Sequence, residues 1–147
     1  HWKGIVVATL VALAGAHGAG AQGGTPIAVF KSPTCGCCTK WVEHLKANGF
    51  AATATNLDDM APVKAKHGVP KAAESCHTAV VEGYVIEGHV PASDIRRLLK
   101  TKPAVAGLAA PGMPIGSPGM EGPNPQKYDV LSFDKAGRTK VFATHGQ

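Results

Sequence analysis

Residues 76–100, CHTAVVEGYVIEGHVPASDIRRLLK, constrain the fold more than any other stretch of this chain. β-Branched and aromatic residues alternate on both sides of Glu82-Gly83, the pattern of two strands joined by a tight turn. Pro91 then opens a helix whose Ile95, Leu98 and Leu99 share one face. The preceding sequence supplies the other half. Residues 26–31 read as a short buried strand closed by Ser32-Pro33, and residues 37–47 as a helix with Trp41, Val42 and Leu45 inward and Asn48-Gly49 as its stop. Residues 50–56, FAATATN, read as a second strand. Asp58 or Asp59 caps a short helix that runs through His67 and stops at Gly68. The expected order is β-α-β-α-β-β-α.

Two strands joined through a crossover helix, then a hairpin and a closing helix, follow the thioredoxin-like plan, an α/β sandwich assigned to residues 22–102. Pro70 falls where such folds place a proline loop opposite their cysteines, although six residues before Cys76 rather than beside it. Residues 103–147 form an extension. Its first part, KPAVAGLAAPGMPIGSPGMEGPNPQ, is too rich in Pro and Gly for a regular element, and reads either as a linker or as a loop held in place. A hairpin turning at residues 134–137 follows. At the other end, the apolar run of residues 4–16 precedes Ala19-Gly20-Ala21, the layout of a secretory signal peptide over residues 1–21. The run is short for a membrane span of ~20 residues, so an uncleaved anchor is the weaker reading. His1 and His17 are left out of metal reasoning on that ground. The mature product is expected to be periplasmic, with no membrane span. Its charge of +5, or +4 without Lys3, is scattered, and aromatics make up 5%, which argues against nucleic acid as a partner.

Three of the four cysteines fall within Cys35-Gly36-Cys37-Cys38, at the start of the first helix. In an oxidising compartment cysteines usually pair. Cys37 and Cys38 are adjacent and Cys35 and Cys37 one residue apart, which makes them strained disulfide partners, so the clustering points to thiol chemistry. The partial positive charge and free N–H groups of a helix N-terminus favour thiolate. Cys76 opens one strand of the central hairpin and His89 ends the other, so both are expected to return to that thiol end. Clustered thiolates select copper(I), zinc or iron–sulfur, and thioethers from Met113 and Met120 with His89 tilt the choice to copper(I). Cys35, Cys37, Cys38, Cys76, His89, Met113 and Met120 are therefore the candidate metal ligands. His44 and His67 read as surface residues, Trp41 as core, and His77 as turned to the face opposite Cys76.

The stretches SPTCGCCTKWVEHLKANGF, ESCHTAVVEGYVIEGHVPASDIRRLL and GLAAPGMPIGSPGME together resemble the CopG-like periplasmic proteins of bacterial copper resistance. The resemblance implies a thioredoxin-like domain with a C-terminal extension. It also implies copper held at Cys35, Cys37, Cys38 and Cys76, in a multinuclear cluster bridged by sulfur. The implied role is sequestration, oxidation or transfer of copper(I), with other periplasmic copper-handling proteins as partners. Two other readings compete: a thiol–disulfide oxidoreductase using Cys35 and Cys38, and a structural zinc site of four cysteines. Enzymatic turnover is left open.

Overall fold

A computed structural model describes residues 24–146. The expected signal peptide lies outside the described residues. Strand β1 (Thr25–Lys31) turns its alternate residues Ile27 and Val29 inward and leads through a turn into α1 (Gly36–Ala47). Cys35 caps α1, its sulfur accepting the Cys38 N–H at 3.3 Å. At the far end Asn48 donates through Nδ2 to the His44 carbonyl at 2.8 Å. Strand β2 (Phe50–Asn56) pairs parallel with β1, as a crossover helix requires. Then come α2 (Ala61–Lys66), a 3-10 turn at Lys71–Ala73, β3 (Thr78–Val81), β4 (Tyr84–Gly88) and α3 (Ala92–Thr101). The β-α-β-α-β-β-α order is observed, and the chain is a mixed α/β fold.

One seven-stranded sheet runs in the order β2-β1-β3-β4-β5-β6-β7, where β5 is Gly107–Ala110, β6 Tyr128–Phe133 and β7 Thr139–His145. Trp41, Val42 and Leu45 of α1 and Ile95 and Leu98 of α3 pack with Ile27, Val29, Ala79, Ile86 and Leu108 into the main core. A smaller apolar cluster, with Val69, Ala73, Val85, Ala109 and Phe133, forms apart from it.

Strand β5 corrects the sequence reading, which allowed no regular element between residues 101 and 126. All four residues, Gly-Leu-Ala-Ala, are buried, and they pair parallel with β4 and antiparallel with β6. Tertiary pairing overrides their weak strand propensity. Gly107 is required there, because a Cβ would lie 1.9 Å from the Val85 carbonyl oxygen. Strand β3 begins at Thr78, so Cys76 sits in the bend before it, and β4 ends one residue before His89. Helix α2 begins at Ala61, with the Asp59 carboxylate accepting the Ala61 N–H at 3.0 Å. There are no cis peptide bonds among the described residues, so the likeness of Pro70 to a cis-proline loop does not extend to its geometry. The hairpin turn at residues 134–137 is as expected, closed by Gly137 N–H to the Asp134 carbonyl at 3.0 Å.

Candidate metal centre

The start of α1, the bend before β3 and the turn after β4 meet at one end of the sheet. There the sulfurs of Cys35, Cys37, Cys38 and Cys76 all lie within 4.8 Å of one another. Cys35 and Cys38 are joined as a disulfide, while Cys37 and Cys76 are free and half-buried. The Cys35 and Cys37 sulfurs are 3.5 Å apart. Closing the Cys35–Cys38 bond removes two thiolate donors, so all four sulfurs could serve as metal ligands only in the reduced protein.

Both histidines beside Cys76 are fully buried. His89 donates from Nδ1 to the Pro118 carbonyl at 2.7 Å and turns Nε2 to the Cys76 sulfur at 3.2 Å. His77 donates from Nε2 to the Gly88 carbonyl at 2.8 Å and turns Nδ1 to the same sulfur at 3.4 Å. Burial, with His89 beside it, lowers the His77 pKa to about 3; burial lowers that of His89 as well. Burial pushes the Cys76 thiol up to about 11.

The loop of residues 111–126 closes over this end. Met113 places its sulfur 3.9 Å from Cys37 and is half-exposed. Met120 instead borders an open cavity of ≈ 400 Å³ shared with Gly36, Cys37 and Lys40. Gly119 makes the close approach possible: its φ is +90°, and a Cβ would fall 2.7 Å from the Cys37 carbonyl oxygen and 3.1 Å from His89 Nδ1. Ser75 ties the bend to the same loop by donating its hydroxyl to the Gly112 carbonyl. Another cavity, ≈ 530 Å³, has no Cys or His in its lining, which comes from residues 104–106, 134–136 and Arg138.

A family described as a protein of unknown function, DUF411, matches residues 73–120, which span the bend, both histidines and the methionine loop. No curated protein matches the chain. Two solved structures of the copper resistance protein CopG, named Form 2 and Form 1, are 43% and 42% identical to it. Each comparison covers 84% of this chain and 99% of that one, with a TM-score of 0.79. The chain belongs to the CopG family.

In this CopG-family chain two histidine readings need correction. His77 was expected to face away from Cys76, by strand alternation. Cys76 lies in a bend outside β3, so alternation does not apply, and His77 turns back to it with its ring 4.3 Å from Trp41. His44 is not a plain surface residue: Nε2 accepts the Ala92 N–H at 3.0 Å at the start of α3, and burial lowers its pKa. His67 is half-buried against the Phe30 ring. Trp41 is core as expected, fully buried with its indole N–H on the Val90 carbonyl at 2.9 Å.

Sequence reasoning missed the polar support beneath Cys76. Lys64 Nζ lies 2.5 Å from Glu87 Oε2 and 3.1 Å from the Thr78 hydroxyl, all three buried. Glu87 also accepts the Ser75 N–H at 2.8 Å and the Thr78 hydroxyl at 2.5 Å. Burial raises the Glu87 carboxyl pKa, and Lys64, Ser75 and Thr78 oppose that rise. An acidic residue amid the apolar run YVIEG was the available signal.

Proposed function

We propose that this chain is an exported copper-binding protein of copper resistance. It holds copper(I) on the thiolates of Cys35, Cys37, Cys38 and Cys76 for sequestration, oxidation or transfer. Membership of the CopG family supports the role, and the observation that carries the ligand set is four sulfurs mutually within 4.8 Å. Thiolate is the donor soft copper(I) prefers, and each sulfur can bridge two ions, so four of them favour a multinuclear cluster. Four cysteines also suit tetrahedral zinc. The Met113 thioether beside Cys37 favours copper instead. His89 adds a nitrogen donor, and Met120 a second thioether from the cavity wall. The layout of residues 1–21 supports a cleaved signal peptide and the periplasm. Other periplasmic copper-handling proteins are the partners this role requires.

The test is anaerobic titration of the reduced, leader-free protein with copper(I) against a competing chelator, read with the copper X-ray absorption edge. More than one tightly held ion in sulfur coordination is expected, and Cys37→Ser lowers that number. Less than one ion per chain overturns the proposal.

A second reading has an observation of its own. The Cys35–Cys38 disulfide at a helix start suits a thiol–disulfide oxidoreductase. That reading expects insulin-type reduction that survives Cys37→Ser. Wild-type protein without such activity ends it.

A further inference from the structure

The end of the sheet away from the cysteines is concave and basic. Strand register fixes the direction. Val85, Gly107 and Phe133 lie side by side at one end of β4, β5 and β6, while Gly88 and Ala110 lie at the end that leads into His89. Three cavities of ≈ 530, ≈ 330 and ≈ 390 Å³ open at the Val85 end and run into one another. All three share Val105; the first two share Arg138, and the first and third share Lys135. The cations come from two elements: Lys66 at the end of α2, and Lys135, Arg138 and Lys140 of the β6–β7 hairpin, all exposed. The one carboxylate in the lining, Asp134, is already engaged, accepting the Ala136 and Arg138 N–H groups and Arg138 Nε at 2.8 Å. That bond orients the Arg138 guanidinium, whose side chain is 82% exposed, as a fork for a second carboxylate. Glu82 of the β3–β4 turn stands outside the lining. The floor, from Val85 and residues 104–106, carries no charge.

We propose that this groove docks an extended, acidic segment of a partner protein, with carboxylates on the Lys66, Lys135, Arg138 and Lys140 rim and apolar side chains on the Val105 floor. Charge complementarity selects an anionic occupant. Shape selects a peptide over a membrane: a headgroup layer is flat, whereas cations around a hollow with an apolar floor suit a chain whose side chains alternate between two faces. The groove and the cysteines occupy opposite ends of the same strands, so a partner seated here leaves the sulfurs uncovered. The groove is independent of the copper reading.

The probe is a short fluorescent peptide alternating glutamate and leucine, added to the full chain and followed by fluorescence anisotropy and amide NMR shifts. Binding is expected in the weak, transient class, with shifts at Val105, Ala106 and Lys135. Salt raised from about 0.1 to about 1 M cuts the screening length from ~10 to ~3 Å and should weaken it. Lys66→Glu with Lys135→Glu is expected to weaken binding about tenfold, because two rim attractions become repulsions. If that pair does not fold, Lys140→Glu decides by the same comparison. Lys46→Glu with Lys127→Glu makes an equal charge change at exposed lysines outside the groove, and is expected to leave affinity within about twofold. A peptide with serine in place of leucine should bind about tenfold more weakly, since it leaves the Val105 floor uncovered. No binding at millimolar peptide overturns the proposal. So does equal weakening by the two lysine pairs, or equal affinity of the serine peptide, since either reduces the groove to net charge. Phosphatidylglycerol vesicles that bind the same residues more tightly than the peptide also overturn it, in favour of a membrane surface. Copper(I) loading of the Lys66→Glu, Lys135→Glu protein should equal that of the wild type, so the groove and the four-sulfur centre fail separately.

Discussion

Lys64→Met tests whether the bend that carries Cys76 is held by a buried ion pair. In the wild type the Lys64 side chain is 9% exposed and Glu87 is fully buried. Removing the ammonium leaves a carboxylate with two neutral donors, the Ser75 N–H and the Thr78 hydroxyl. Breaking such a pair from one side costs about 3–5 kcal/mol. A second route gives an independent figure, since Glu87 can escape by taking a proton. From a free-chain pKa of about 4.3, protonation three units higher costs about 4 kcal/mol at ~1.4 kcal/mol per unit. Burial already holds the folded Glu87 pKa above the unfolded value and loss of Lys64 raises it further, so the penalty is absent below the unfolded pKa and grows as pH rises. The deficit should shrink from about 4 kcal/mol near neutrality to about 1 kcal/mol near pH 5. Urea unfolding followed by circular dichroism reads this as a midpoint lowered by roughly 2 M near neutrality, and by much less in acid. Adding Glu87→Gln should recover much of the loss. A deficit equal at both pH values, or below about 1 kcal/mol near neutrality, refutes the reasoning.

Three further outcomes follow from the same end of the sheet. Gly119→Ala should cost about 2 kcal/mol or more, from the left-handed backbone and the clash with Cys37. Hydrogen exchange confined to residues 111–126 should rise, and unchanged exchange counts against the close approach. In the oxidised, metal-free protein, Cys76 should alkylate about a hundredfold more slowly at about pH 8 than in the unfolded chain, because its pKa is pushed to about 11. Labelling at the unfolded rate contradicts this. The His77 imidazole should stay neutral far below its unfolded value of about 6.5, so its share of stability is present above that pH and is lost as pH falls toward about 3. An NMR titration of the metal-free protein with a midpoint near 6.5 would show the ring is not buried as described.

Where local pattern and tertiary role agree, the elements were legible. Strand β2 has the bounds read from FAATATN, and α1 starts one residue before the expected position. The hairpin of β3 and β4 announced itself through alternation, because both strands place one face on the α1 and α3 core. Strand β5 was hidden for the opposite reason. Gly107 and two alanines carry no strand signal, and only the narrow space between β4 and β6 selects them. Within the site, the cysteine cluster was visible because C-x-C-C is local. His77 was not, since its orientation depends on where β3 begins, and a shift of two residues in a strand boundary undoes an alternation argument. Lys64 pairs with Glu87 across 23 positions, a distance over which sequence pattern says nothing about contact.

The disulfide uses two of the four sulfurs of the proposed copper ligand set, and this orders the competing functions. Opening Cys35–Cys38 takes two electrons from an external dithiol and yields two thiolates, which join Cys37 and Cys76. Soft-metal binding then withdraws those thiolates from the equilibrium and makes the disulfide easier to reduce, by linkage. By the same linkage, an oxidant that closes the bond removes two of the proposed thiolate donors and should lower copper(I) affinity. A reductase activity and a copper site on these cysteines therefore inhibit one another. Copper(I) added to the reduced protein should suppress insulin-type reduction in proportion to the ions bound, whereas independent sites would leave the activity untouched.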